Sequence, residues 1–137
     1  MQLPNRVVVA PMCQYSAVEG EASDWHLMHW GNLLNSGAGL FIIEAKAVSP
    51  EGRITPYCLG LWDQKTQTAL EDKLLRARKL APKTRVFIQL AHAGRKASSA
   101  APWQGGQILP SENGGWETRA PSAIPQLDGE RNPHELS

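Results

Sequence analysis

Three short apolar runs alternate along the chain with two amphipathic segments. Residues 6–11, 39–44 and 85–90 are rich in Val, Ile and Leu without polar alternation, which is typical of strands buried on both faces of a parallel sheet. Residues 24–35 and 64–81 carry apolar side chains at spacings of three and four, which predicts two helices that end before Gly37 and Pro82. The order strand, helix, strand, helix, strand indicates βαβ units.

The remainder of the chain is rich in residues that break regular structure. Residues 97–132 hold five of the twelve glycines and four of the ten prolines, so we expect neither a regular helix nor an uninterrupted strand there. Asn132 followed by Pro133 resembles a helix start, with a capping residue and a proline in the first turn. Because a closed eightfold barrel takes about 250 residues, the chain is either a small α/β domain or part of a larger fold.

Composition and charge argue against several classes of protein. Fourteen Lys and Arg against thirteen Asp and Glu give a net charge of +1, which argues against a general nucleic-acid binder. No apolar run approaches the roughly 20 residues of a membrane span, and the amino terminus has no signal-peptide pattern, so we expect a cytoplasmic protein without a membrane partner. Two cysteines, Cys13 and Cys58, do not indicate a disulfide-stapled scaffold, although one bridge between them is open.

Candidate chemistry lies where the predicted strands end, since the active sites of α/β folds lie at the carboxyl ends of parallel strands. The residues found there are Cys13, Tyr15, Ala45, Lys46, Gln89 and His92. Cys13 is a candidate nucleophile or redox group, but a lone cysteine is more often a structural filler. No spacing indicates a carboxylate pair or a Ser-His-Asp set.

Two further polar groups have competing interpretations. His26 and His29 share one face of the first predicted helix, but no third ligand has a metal-site spacing, so we predict no metal site and a partly exposed helix surface. Arg95 and Lys96 follow Gly94, and they are equally consistent with a phosphate contact and with a solvated loop.

Five tryptophans are many for this length. Trp30 is expected to pack in a helix face, and Trp103 and Trp116 are expected to pack beneath the loops that contain them. Neither of the common glycine-rich phosphate-binding motifs is present.

Three motifs resemble the Old Yellow Enzyme family of FMN-dependent ene reductases. Residues 5–15 are similar to the family's first-strand motif, residues 44–48 and 50–55 resemble its second strand and following loop, and residues 88–96 resemble its third strand. The Cys-x-Tyr form of the first motif is similar to the bacterial branch that includes the xenobiotic reductases, as are residues 115–118 and 120–124.

The resemblance implies a (β/α)₈ TIM barrel, of which this chain supplies about the first three βα units. Residues 1–137 would be the N-terminal part of a single flavin-binding barrel without a separate second domain. The implied contacts to FMN are Ala10, Pro11, Met12, Cys13, Ala45 and Gln89. Ala45 would stay small beside the flavin ring, Gln89 would hydrogen-bond its polar edge, and Cys13 would tune its potential. Tyr15 would face the substrate and orient or polarise an oxygen substituent.

The implied reaction is hydride transfer from NADPH or NADH to FMN and then to an activated alkene, a small molecule such as an enone. The family's fourth-strand His pair and its phosphate-binding strands have no counterpart here, and His26 and His29 are not assigned that role. We therefore expect a second chain or segment to supply the remaining strands, and an oligomer. The chain is then a split subunit, a truncation or a fragment. The alternatives are a non-catalytic assembly module and a related flavin barrel such as a dienoyl-CoA reductase.

Overall fold

A three-stranded parallel sheet with two helices on one face forms the body of the molecule. The structure, a computed structural model, describes residues 2–81 and 83–137. The strands are β1 (Val8–Val9), β2 (Leu40–Ala47) and β3 (Arg85–Ala91), in the order β1-β2-β3. The helices α1 (Asp24–Leu34) and α2 (Gln64–Leu80) connect them. The predicted βαβ order is confirmed, whereas the proposed stop at Pro82 lies outside the described residues.

The helices begin where the sequence supplies capping groups. The Asp63 carboxylate accepts a hydrogen bond from the Thr66 backbone N–H at 2.8 Å, which satisfies one of the free donors at the start of α2. Apolar side chains from both helices then pack on β2 and β3. The central core residues are Trp30, Leu34, Phe41, Ile43, Leu70 and Ala77, with Val86 and Ile88 packed against them. Trp30 is fully buried in the helix face, as expected.

Only the central strand is buried on both faces. The expectation is correct for β2, but it is wrong for β1 and β3, which form the two edges of the sheet. Val8 of β1 and Phe87 and Leu90 of β3 are exposed. The reason is that each outer strand has one neighbouring strand in the described part of the chain, so its other edge and part of its surface are uncovered.

A β-bulge near the end of β2 changes which side chains face the helices. The pairing register shifts between Ile43 and Lys46, so that residues 44–45 lie opposite the single residue Gln89 of β3. The extra residue reverses the alternation of the strand. Lys46 therefore lies on the same side as Ile43, against α1, where its ammonium is 4.7 Å from the centre of the Trp30 ring.

The last third of the chain is mostly irregular, which confirms the prediction for residues 97–132. The predicted helix start at Asn132 is wrong, because β5 (His134–Glu135) pairs in parallel with β4 (Arg119–Ala120). The backbone N–H of His134 donates to the Thr118 carbonyl at 2.7 Å. This pairing with a neighbouring strand extends the backbone at the point where the local signal favoured a helix.

The helices in the described residues are also too short or too polar to cross a lipid bilayer.

Candidate active site

The predicted site residues from the three strands lie next to one another at the carboxyl end of the sheet. The segment after β1 brings Cys13 beside β2, where the Ala45 backbone lowers the pKa of the Cys13 thiol. Ala45 is in the bulge of β2, and the strand register places it beside Gln89 of β3. The structure thus brings Cys13, Ala45 and Gln89 together.

Ala45 and Gln89 lie on the face of the sheet opposite the helices. Val86 and Ile88 of β3 pack on the core, so strand alternation places Gln89 on the other face, where its side chain is exposed. The Gln89 amide makes no hydrogen bond to any described residue, so its donors and acceptor are free for a ligand. Ala45 lines a small cavity on this face together with Ala91.

The segment that follows β1 forms one border of this face. Ala10 and Met12 are exposed, whereas Pro11 is half-buried. The Gln14 side-chain amide donates to the Met12 carbonyl at 2.9 Å, which holds the segment in an irregular, extended path.

Tyr15 is fixed by its backbone and by an aromatic neighbour. Its φ of 50° lies in the left-handed region, which non-glycine residues seldom adopt and which turns the side chain away from the path of β1. Its ring meets Trp103 edge to face, with centroids 5.5 Å apart and planes at 79°. Partial burial raises the pKa of the Tyr15 phenol above its usual value, so the phenol is a neutral hydrogen-bond donor at pH 7.

The two tryptophans of the last third have different environments. Trp103 is 70% exposed, so the expectation that it packs beneath a loop is wrong. Trp116 does pack in this way: its indole N–H donates to the Glu51 carbonyl at 2.9 Å, and the Arg53 guanidinium lies 5.0 Å from its ring. Trp103 meets Tyr15 edge to face and is otherwise open to solvent.

Cys13 is a free, half-buried thiol, and Cys58 is free and buried, so the open possibility of a bridge between them is not realised. Burial raises the pKa of the Cys13 thiol to about 11, and the neighbouring Cys58 and Glu44 add to the increase. At neutral pH the group is therefore a thiol rather than a thiolate. It is a poor nucleophile and a neutral neighbour for a ligand.

A buried polar cluster behind the strand ends is absent from the sequence predictions. It consists of His26, Glu44 and Lys46, each at most 4% exposed, beside Trp30. The expectation that His26 lies on a partly exposed surface is wrong, because its Nδ1 accepts the Ser23 backbone N–H at 3.0 Å at the start of α1. One signal was available, since charged residues within a strand that is apolar enough to be buried on both faces must themselves be buried.

The Arg95 guanidinium stabilises the irregular region. It donates to the Ser122 hydroxyl at 2.8 Å and to the Ile124 carbonyl at 3.0 Å, whereas Lys96 is exposed. The solvated-loop interpretation therefore describes Lys96 but not Arg95. The described residues also contain no group of three or more His, Cys, Asp or Glu side chains close enough to hold a metal ion.

The chemistry of this face fits a planar ring with one polar edge. Ala45 presents a single methyl group, which lets a flat ring approach the strand. Gln89 offers an unpaired amide that both donates and accepts. Cys13 supplies a neutral, polarisable sulfur beside Ala45. These properties fit the FMN ring that the sequence resemblance implies.

Comparison with known proteins agrees with this arrangement. A family model described as the NADH:flavin oxidoreductase / NADH oxidase family matches residues 1–128. An NADH:flavin oxidoreductase of Gibberella zeae is 46% identical over 129 residues, which are 92% of this chain and 31% of that protein. An NADPH dehydrogenase of Halalkalibacterium halodurans is 41% identical over 102 residues, which are 73% of this chain and 30% of that protein. The chain thus spans about a third of the length of these curated relatives.

Solved structures show the fold to which these strands belong. Morphinone reductase in complex with tetrahydroNAD has a TM-score of 0.72 at 23% identity, covering 98% of this chain and 38% of its own. An Old Yellow Enzyme homologue from Zymomonas mobilis has a TM-score of 0.70 at 23% identity, covering 97% of this chain and 36% of its own. The sheet and its two helices are therefore part of a (β/α)₈ barrel. The chain belongs to the NADH:flavin oxidoreductase / NADH oxidase family and matches the N-terminal part of its Old Yellow Enzyme-like barrel.

Proposed function

We propose that this protein is an NAD(P)H-dependent, FMN-containing ene reductase whose active site is completed by the remaining strands of the barrel. The observation that carries the proposal is the meeting of Cys13, Ala45 and the unpaired Gln89 amide on the face opposite the helices. Family membership and a relative named NADPH dehydrogenase support the cofactor and the hydride donor. A cytoplasmic location stays a prediction.

The chain's own residues would hold FMN by shape and by hydrogen bonds. The Gln89 amide would bind the polar edge of the ring, and Ala45 would leave room for its plane. The Ala10–Met12 backbone would border the ring, with the Cys13 thiol beside it. Bound FMN supplies the hydride chemistry, taking a hydride from the nicotinamide and passing it to an activated C=C bond.

Tyr15 and Cys13 would bind the substrate as neutral groups. The activating carbonyl oxygen of an enone gains negative charge as hydride adds, and a donor already in place stabilises that charge without reorganisation. The protonated Tyr15 phenol is such a donor, and its contact with Trp103 limits the motion of its ring. We expect this phenol to orient the oxygen of a small activated alkene.

The uncovered edges of the sheet support completion by further strands. Val8 is 47% exposed on β1, and Phe87 and Leu90 of β3 are 48% and 62% exposed. Unpaired strand edges with apolar side chains favour pairing with another strand. We therefore propose that the missing strands, from the same polypeptide or from a second chain, pair with β1 and β3 and bring the substrate-binding groups that these residues lack.

The test is flavin binding and turnover with the complementary strands present. The protein completed with those strands should be yellow and should oxidise NADPH in the presence of cyclohexenone. Gln89→Leu should weaken FMN binding by about tenfold, as expected for one lost hydrogen bond to a buried polar edge. Gln67→Leu, on the exposed surface of α2, is the matched control and should leave FMN binding unchanged.

Two outcomes would contradict the proposal. A completed protein that binds no flavin would favour the alternative of a non-catalytic assembly module. An equal FMN affinity in Gln89→Leu and Gln67→Leu would show that the amide does not contact the ring.

A further inference from the structure

The buried cluster behind the strand ends has more polar groups than the fold needs. Within the described part of the chain, four of its buried atoms have no hydrogen-bond partner: His26 Nε2, Trp30 Nε1, Glu44 Oε1 and Lys46 Nζ. Burying a charged group lowers the stability of a fold, and apolar side chains of similar size often stabilise it better. Stability of the core therefore does not explain why Glu44 and Lys46 are there.

Glu44 makes one strong hydrogen bond, and its partner belongs to the segment that carries the candidate site residues Cys13 and Tyr15. Its Oε2 accepts the backbone N–H of Gln14 at 2.8 Å. Gln14 lies between Cys13 and Tyr15, the two residues that we propose bind the substrate. A charged acceptor makes such a bond about twice as strong as a neutral one.

This bond replaces strand pairing where the pairing stops. β1 pairs with β2 only at Val8 and Val9, so the segment beyond Val9 is no longer paired with β2 as a strand. The segment then passes through Tyr15, whose positive φ is a conformation that the surroundings must impose. The Glu44 carboxylate holds the backbone immediately before that residue.

The charge of Glu44 has one buried cation beside it on the same strand. Lys46 is fully buried, and burial lowers the pKa of its ammonium to about 7, so the positive charge is mostly present below that pH. This charge opposes the increase that burial causes in the pKa of Glu44. His26 lies 3.8 Å from Glu44 but is not an ion-pair partner at pH 7, because burial lowers the pKa of its imidazole to about 4. The bulge of β2 makes this arrangement possible by turning Lys46 to the same side as the core.

We propose that Glu44 is the positioning residue of the segment that carries Cys13 and Tyr15, and that Lys46 is its buried counter-charge. The inference rests on the proposed function only in giving that segment a role in flavin and substrate binding. Glu44 and Lys46 do not touch the ligand. They act through the backbone of Gln14 and through their field at the Cys13 thiol.

The two charges have opposite effects on Cys13, which separates their electrostatic role from a simple packing role. Glu44 raises the pKa of the Cys13 thiol and Lys46 lowers it. Loosening of the structure would make the thiol more reactive in either variant. Only the loss of a nearby positive charge makes the thiol less reactive when Lys46 is replaced.

The experiment measures alkylation of Cys13 by N-ethylmaleimide in the full-length protein, followed at the Cys13 peptide by mass spectrometry at pH 6.0, where Lys46 is mostly protonated. Lys46→Met, which keeps an apolar stem beside Trp30, should slow the reaction, because it removes a charge that lowers the pKa of the Cys13 thiol. Glu44→Gln should speed it. Glu71→Gln, exposed on α2, is the matched control and should not change it.

Hydrogen exchange at the Gln14 amide tests the positioning directly. Glu44→Leu should speed exchange by about tenfold, whereas Glu44→Gln keeps an acceptor and should show a smaller increase. Faster alkylation in Lys46→Met, or unchanged exchange in Glu44→Leu, would overturn the proposal. Neither readout needs alkene reduction, so a protein that fails the turnover test above still shows whether Glu44 holds the Gln14 backbone.

Discussion

Burial of His26 predicts a specific loss of stability in mild acid. The imidazole is fully buried against Glu44 and Trp30, and burial, with the nearby Lys46 charge, lowers its pKa from 6.5 to about 4. In the unfolded chain the ring takes up a proton as the pH falls through 6.5, but in the folded protein it does not until about pH 4. The unfolded state therefore binds more protons between these two pH values. The free energy of unfolding decreases as the pH is lowered across that window.

The size of the effect follows from the two pKa values. Each pKa unit is worth about 1.4 kcal/mol, so a fall from 6.5 to about 4 corresponds to about 3 kcal/mol when complete. Most of it, about 2.5 kcal/mol, should be lost between pH 7.5 and pH 4.5. Small domains have a free energy of unfolding of only about 5–15 kcal/mol, so the change is readily measured.

The assay compares urea unfolding at the two pH values in the wild type and in His26→Gln. A glutamine at this position of a helix still accepts the Ser23 backbone N–H, as in a capping box, but it does not titrate. His26→Gln should therefore lose about 2.5 kcal/mol less than the wild type on acidification. His134→Gln, on an exposed side chain of β5, is the control and should behave as the wild type does. Equal losses in the wild type and in His26→Gln would refute the reasoning.

Three further stability predictions follow from hydrogen bonding and packing. Thr84 is buried and its hydroxyl lies 2.9 Å from the Leu34 carbonyl, so Thr84→Val should lower the free energy of unfolding by about 1–3 kcal/mol in urea titrations, and no change would mean that this bond is not formed in solution. Gly31→Ala should raise the melting temperature, because this position within α1 has no atom within 4 Å of an added Cβ and alanine favours a helix by up to about 1 kcal/mol. Gly39→Ala should lower it, because the added Cβ would overlap the Asn5 backbone carbonyl; the opposite order of the two melting temperatures would contradict this packing.

The regular elements were predictable because their signals are local and agree with one another. The stripes of apolar residues in α1 and α2 have helical spacing, and their predicted ends fall within one residue of the observed ends. The helix predicted at Asn132 failed because its signal is only two residues long. Pairing of His134 with Thr118, sixteen residues away, determines the backbone there, and no local pattern reports such a contact.

The positions of the candidate site residues could be predicted from the sequence, but the burial and contacts of the side chains around them could not. Cys13 and Gln89 could be placed at strand ends from the sequence, because the ends of parallel strands lie at one edge of a sheet. The burial of His26 could not be read from its helical spacing, since it depends on packing against Trp30 and against Glu44 of β2. The contact of Trp103 with Tyr15 likewise joins residues 88 positions apart in the sequence, which no local pattern reports.

The bulge in β2 makes the length of this strand as important as its composition. If residues 44 and 45 both paired with β3 in simple alternation, without the bulge, every later side chain of the strand would change sides. The Lys46 ammonium would then project into the barrel, and the Ala45 methyl group would take its place against Trp30. The side on which Lys46 lies therefore depends on one extra residue in the backbone rather than on its own side chain.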